Sequence, residues 1–336
     1  LTANPASISK PRRWGRRGGR AGEELAAALR WISNVHRPNG LPNVCIVSAP
    51  RSGSTWLLEL VLSQPGFKPC NEPFNLRKPA VVRRLGLSRW SELNDSVHLP
   101  TMKAYLESFL DNRYSAAFKG LRPGLAHYRF VTHRIAFKIL FALEHRLDWL
   151  AETLNARLVL LIRHPLPVAL SRTSLPRLDA FFESEYRGFL SAGQLRLAED
   201  VLRRGDPLER AVLDWCLQYA VPLERFRDRF LLVTYEQLVL RPDPALDALA
   251  EHLVLDDVEL MRARISRPSG SVTKSNAETV GFLQGRKNND DRQWLIDKWR
   301  PRVPQDRERS LMRFVNDFGI DVYRSGESAP ADAYWI

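Results

Sequence analysis

The run Pro50-Arg-Ser-Gly-Ser-Thr-Trp56 joins a short β-branched apolar segment, residues 43–49, to a helical stretch over 56–62. A strand, a tight turn and a helix start gather the backbone N–H groups of residues 51–56, where unpaired amides and the helix dipole hold an anion. Arg51 adds a forked cation, and Ser52, Gly53, Ser54 and Thr55 add amides and hydroxyls. The spacing is not that of a nucleoside-triphosphate loop, in which lysine follows the second glycine; here Ser54 follows Gly53 and the cation lies ahead, at Arg51. A second cation, Arg163, ends the apolar run 158–162, where a nucleotide hydrolase commonly carries a magnesium-ligating aspartate. Ser171 follows in the segment 166–172, whose Pro165 suits a helical first turn. Two separated phosphate-binding positions, with no evident metal ligand, describe a nucleotide phosphorylated at both ends of its ribose.

These residues need a scaffold that brings strand ends together. Strand candidates at 43–49, 135–140, 157–162 and 230–234 are short, apolar and separated by long helical stretches, and 116–119 is a further one. Such runs suit strands buried on both faces of a parallel sheet with right-handed helical crossovers. The expected fold class is α/β, three layers, with a P-loop-like central parallel sheet flanked by helices. Helical patterns cover 22–33, 102–111, 144–155, 178–203, 208–227, 244–253 and 305–317. Residues 1–39 read as a flexible basic arm and a first helix, 40–325 as a single domain, and 326–336 as a C-terminal tail.

Composition narrows the partners. The 336 residues are 44% hydrophobic, enough to bury a substantial core, and 50 lysines and arginines against 38 acids give a formal charge of +12. That charge attracts an anionic ligand or surface. Six cations in the arm (Lys10, Arg12, Arg13, Arg16, Arg17 and Arg20) suit weak contact with anionic lipid, a solvated tail being the plainer reading. No apolar run approaches the roughly 20 residues of a membrane span. Cys45, Cys70 and Cys216 lack disulfide or zinc spacing and read as reduced, mostly buried thiols, which favours a cytoplasmic location; a chain starting at Leu1 also suits a trimmed anchor and a secretory lumen.

The segment Ala49-Pro-Arg-Ser-Gly-Ser-Thr-Trp56 resembles the 5′-phosphosulfate loop of sulfotransferases that use 3′-phosphoadenosine 5′-phosphosulfate (PAPS), and Arg163 with Ser171 resembles their 3′-phosphate site. Residues 51–72, continuing into Pro73 and Phe74, are similar in spacing to the Golgi-type carbohydrate sulfotransferases; 233–238 and the trio Lys298, Trp299 and Arg300 also resemble family segments. The resemblance covers about residues 40–325 and implies PAPS as co-substrate, adenosine 3′,5′-bisphosphate (PAP) as product, no metal, and a hydroxyl acceptor, a glycan favoured over a phenol or lipid. It implies that Arg51, Ser52, Gly53, Ser54, Thr55, Trp56, Arg163 and Ser171 hold the nucleotide, with Trp56 stacking on adenine and Lys274, in the polar loop 269–276, closing over it. Glu72 stands where the carbohydrate enzymes place their candidate catalytic glutamate. His164 replaces the usual aspartate, and residues 77–133 match no family segment, which leaves the acceptor pocket open.

Sulfuryl transfer builds negative charge on the departing phosphate, so a cation must be waiting there, and Arg51 is the expected one. A general base takes the acceptor proton: Glu72 first, with His127 and His133 as alternatives. Lys138, inside the apolar pattern 135–140, is costly unless its charge is used, and is read as reaching the transferred group. Tyr235 and Glu236 are read as a structural strand end. Aromatics at Trp90, Tyr105, Tyr114, Phe118, Tyr128 and Phe130 suit a phenolic or lipid acceptor. Two rival readings are a magnesium-dependent P-loop phosphotransferase, for which no metal carboxylate is identified, and a basic nucleic-acid or anionic-polymer binding protein. No nucleic-acid module is recognised, so no nucleic acid is expected as partner.

Overall fold

A computed structural model of the chain describes residues 34–113, 129–270 and 292–336. The strands are β1 (Val35–His36), β2 (Asn43–Ser48), β3 (Phe67–Asn71), β4 (Val131–Thr132), β5 (Arg134–Ile139), β6 (Ala156–Ile162) and β7 (Phe230–Thr234). Five of them form a parallel sheet in the order β3-β5-β2-β6-β7, while β1 and β4 make a short separate pair. The helices are α1 (Ser54–Val61), α2 (Pro79–Leu85), α3 (Leu99–Leu110), α4 (Leu147–Leu154), α5 (Pro165–Leu170), α6 (Ala192–Arg204), α7 (Pro207–Arg225), α8 (Tyr235–Leu240), α9 (Pro242–Leu253), α10 (Val258–Ile265), α11 (Gln293–Asp297) and α12 (Gln305–Asp317). None of the described helices is long and apolar enough to cross a membrane.

The strand side chains alternate between two cores, which is why their sequences are apolar throughout. Cys45, Val47, Ile135, Phe137, Leu158 and Leu160 face one core, shared with α3, α4, α7 and α12. Val44, Ile46, Ala136, Val159 and Leu161 face the other, shared with α1, α9 and α10. The three-layer α/β fold expected from the sequence is the one observed.

Strand β3 escaped the sequence pattern because Phe-Lys-Pro-Cys-Asn mixes a cation and a proline into the run. Its place at the sheet edge explains how Pro69 is tolerated, since an edge strand leaves one side without ladder bonds. The single helix expected over 178–203 is instead two short 3₁₀ turns, Asp179–Phe181 and Glu185–Phe189, followed by α6. Ser191 restarts the helix through a capping box with Gln194. A second capping box, between Asp206 and Glu209, sets the start of α7.

The segment 326–336, expected as a tail, is packed on the domain. Tyr334 is buried, its carbonyl accepts a hydrogen bond from Gln237 Nε2, and Arg241 lies 4.3 Å from the Trp335 ring centre. Of the expected basic arm and first helix, 1–39, residues 1–33 lie outside the described residues and 35–36 form β1; the strand candidate 116–119 also lies outside them. The three cysteines are buried and unbridged.

Candidate active site

Every strand of the large sheet points its carboxyl end at one cavity, the side on which open parallel sheets hold their ligands. The cavity holds about 820 Å³. Its wall includes Arg51, Ser54, Trp56 and Thr55 after β2, Glu72 after β3, Lys138 at the end of β5, Arg163 and Ser171 after β6, and Tyr235 after β7.

The loop after β2 is held from below by Tyr219 on α7. The Tyr219 hydroxyl accepts from the Ala49 amide at 2.8 Å and donates to the Leu161 carbonyl at 2.9 Å, tying the loop to the end of β6. With its proton so used, Tyr219 accepts from Ser52, whose side chain is fully buried at 3.2 Å from that oxygen. Ser52, expected among the nucleotide-binding groups, therefore does not line the cavity; its hydroxyl braces the loop. Arg51 and Gly53 both take left-handed backbone, φ 78° and 96°. Gly53 is required twice over, because a Cβ there would lie 2.8 Å from the Tyr235 ring as well as straining the backbone. The bend starts α1 at Ser54, and the first turn bonds run from Trp56 and Leu57 to the Gly53 carbonyl. The amides of Gly53, Ser54 and Thr55 precede those bonds and form an anion-receptive helix start.

Arg163 crosses the Tyr235 ring at 4.0 Å and donates to the Arg51 carbonyl at 3.3 Å. Its aromatic shelf and the backbone oxygen fix the guanidinium without neutralising it. Partial burial, followed by repulsion from Arg163 and Arg172, holds the Arg51 guanidinium below the usual arginine value. Arg172 is neutralised by Asp214 at 2.9 Å, whereas neither Arg51 nor Arg163 has an ion pair among the described residues. Ser171 closes α5 and lines the cavity; its hydroxyl donates to the Val168 carbonyl at 2.8 Å and can turn that proton to an anion in the cavity instead.

His164 does in this chain what a capping aspartate would do. Its Nδ1 accepts from the Leu166 amide at 3.3 Å, and its ring stacks on Trp299, 4.8 Å between centres. Burial above all, with the charge of Arg300 next, lowers its pKa to about 3 and keeps it neutral. Glu236 braces the same corner, accepting from the His164 amide at 3.1 Å and the Tyr323 hydroxyl at 2.6 Å. Its structural reading fits this geometry; Tyr235 instead faces the cavity and shelves Arg163.

The opposite wall carries an ion pair. Lys138 Nζ lies 3.0 Å from Glu72 Oε1 and donates to Thr55 Oγ1, also at 3.0 Å. The Lys138 side chain is 3% exposed and that of Glu72 19%, so the carboxylate is the partner that faces open space. Lys78 Nζ approaches Glu72 Oε2 to 3.6 Å and Asn75 Nδ2 donates to it at 2.8 Å. Burial pushes the Glu72 carboxyl up, but Lys138, then Lys78 and Asn75, more than offset this and hold it at about 2. Glu72 also takes left-handed backbone, φ 55°, with its amide donating to the Lys138 carbonyl at 2.9 Å.

Trp56 lines the cavity at 5.8 Å from the Tyr235 ring and packs against the core beneath. His133 lies just before β5, at the amino-terminal edge of the sheet, bonded to the Arg37 carbonyl, and is remote from the cavity. Tyr105 is a core residue, its hydroxyl donating to the Pro73 carbonyl. Trp90 packs on Phe141, and Phe130 is 61% exposed outside the cavity. Lys274, His127, Tyr114, Phe118 and Tyr128 lie outside the described residues. The sequence reading missed Arg77, Phe141, Arg267, Trp294 and Arg302, which line the same cavity. Arg77 and Phe141 follow β3 and β5, so placing them at strand ends was the available signal; Trp294 and Arg302 carry none. Among the described residues no cluster of three or more His, Cys, Asp or Glu side chains is placed to hold a metal ion.

The sulfotransferase family matches this chain over residues 42–259, most of its length, and the chain belongs to that family. It is an α/β transferase of the sulfuryl-transfer class. Solved structures similar to it include the sulfotransferase domain of the Synechococcus PCC 7002 olefin synthase, at 22% identity and TM-score 0.43, covering 85% of this chain and 98% of that one. The sulfotransferase domain of the curacin biosynthetic pathway is 18% identical, TM-score 0.41, with 82% and 97% covered. A mouse sulfotransferase complexed with PAP is 15% identical, TM-score 0.41, with 88% of each chain covered. No curated protein matches the chain.

Proposed function

We propose that this enzyme transfers the sulfuryl group of PAPS to an acceptor hydroxyl, without a metal ion. The observation that carries the reading is one cavity with two arginines, Arg51 and Arg163, that have no ion pair among the described residues, beside a helix start and faced by the Lys138–Glu72 pair. Arg163 and Ser171 receive the 3′-phosphate, and Arg51 with the amides of Gly53, Ser54 and Thr55 receives the 5′-phosphosulfate. Trp56 offers its face to adenine. The acceptor enters along Glu72, Arg77 and Phe141, which line the remaining wall.

As the acceptor oxygen bonds to sulfur, the bond from sulfur to the bridging oxygen breaks and its electron pair stays on the 5′-phosphate. Arg51 and Lys138 stabilise that growing charge, which their fixed positions do at little reorganisation cost. Glu72 takes the hydroxyl proton and later gives it to solvent. Sugars are the first acceptor class to test, phenols and hydroxylated lipids the next. Radiolabelled PAPS offered to such a panel with EDTA present is expected to label at least one class. A protein that labels none and also fails to bind PAP would overturn the reading, and transfer that stops with EDTA would overturn its metal-free part.

A further inference from the structure

Lys138 stands between two groups that need the same charge. Its ammonium has three donors; one meets Glu72 and one meets Thr55, which belongs to the loop assigned above to the donor's phosphosulfate. An ammonium is a compact point charge, so an anion arriving beside Thr55 takes part of the field that now stabilises the Glu72 carboxylate. Among the described residues the charged and polar groups acting on Glu72 are Lys138 from β5 and Lys78 and Asn75 from its own segment, while Thr55 and Glu59 of α1 act on Lys138.

We infer that Glu72 and the donor's phosphosulfate compete for Lys138, so that Glu72 becomes a base only in the donor-loaded enzyme. The inference rests on the donor reading above. In the free enzyme the carboxylate, paired to Lys138 and Lys78, is too weak a base to draw a proton from a hydroxyl. A bound phosphosulfate engages Lys138 and repels the carboxylate, and both effects raise its proton affinity. Such coupling is reciprocal: what the donor does to the proton affinity of Glu72, the charge of Glu72 does to the affinity of the donor. The proton then moves from the acceptor hydroxyl to Glu72 as the new oxygen–sulfur bond forms and the old one breaks. It leaves to solvent when PAP departs and the Lys138 pair closes again. Acceptor activation thereby follows donor binding.

A double-mutant cycle reads this coupling directly. PAPS affinity is measured by equilibrium binding at low temperature for wild type, Glu72→Gln, Lys138→Met and the double variant. Glu72→Gln is expected to tighten PAPS at least fivefold in the wild-type background and less than twofold in the Lys138→Met background. Equal tightening in both backgrounds means general electrostatics and overturns the inference, as does no tightening. Wild type that fails to bind PAPS overturns the donor reading instead. Should a variant not fold, wild type labelled with carbon-13 at the glutamate carboxyls serves. The Glu72 signal is expected to stay flat from about pH 8 to about pH 4 alone, and to titrate within that range with a non-transferable PAPS analogue bound. A signal flat in both states overturns the inference.

Discussion

Two walls of the cavity hold cations in opposite states. Arg51 and Arg163 face it without an ion pair among the described residues, Arg163 held by the Arg51 carbonyl and the Tyr235 ring. Lys138, at the end of β5, is paired to Glu72, which Lys78, itself off the cavity wall, also approaches. Unpaired cations held by neutral groups keep their full field for an incoming polyanion. Paired ones have little field to spare until a partner changes. A third pair shows what a purely structural arrangement looks like: Arg177 meets Glu144 through two hydrogen bonds at 2.5 and 2.8 Å, both side chains are buried, and neither lines the cavity. Access to open space, more than burial or distance, separates the functional pair from the structural one.

Glu72→Gln is the sharpest way to test the paired wall. Transfer is expected to fall by about 10²–10⁴, the span of general-base catalysis, in a kcat measurement at saturating PAPS, while PAP still binds. Unchanged kcat would place Glu72 beside Arg177's partner as structural. On the unpaired wall, Arg51→Ala is expected to lower kcat by about 10²–10³ by removing charge stabilisation of the departing phosphate. Arg163→Ala, which on the proposed reading removes a contact to the 3′-phosphate remote from the reacting sulfur, is expected to weaken PAP about 10- to 100-fold with a smaller change in kcat at saturation.

Much of this was legible in the sequence. The loop 50–56, the cation after β6 and the lysine inside β5 are local patterns, and each lies in the cavity. The sheet was legible because strands buried on both faces must be apolar throughout. What the sequence could not show is which groups meet. Ser52 looked like its neighbours until Tyr219, 167 residues away, took its hydroxyl. Nothing local pairs Glu72 with Lys138; the parallel register that sets Asn71 against Lys138 brings them together. Trp294 and Arg302 reach the cavity from a segment whose local pattern gives no sign of it.

Two smaller effects refine the comparison. Gly53→Ala is expected to cost about 1–3 kcal/mol, seen as a lower unfolding temperature, because φ 96° and the Tyr235 contact oppose any Cβ. The Glu72 pairing should also register in stability against pH. Its carboxyl falls from 4.5 to about 2 on folding, so the pairing contributes fully above about pH 4.5 and is lost as pH falls toward 2. The stability gap between wild type and Glu72→Gln is therefore expected to shrink over that window in denaturant titrations at each pH. A gap that widens on acidification would mean that the carboxylate is not held by cations.

On the proposed reading Arg51 and Arg163 are the cations that hold the two phosphates of one adenosine carrier, with no metal ion between them. Calorimetric titration of PAP into the protein in EDTA tests it most directly. One site per chain is expected, weakened by both Arg51→Ala and Arg163→Ala and unchanged by added magnesium. No heat of binding, or binding that appears only with magnesium and ignores both arginines, would contradict it.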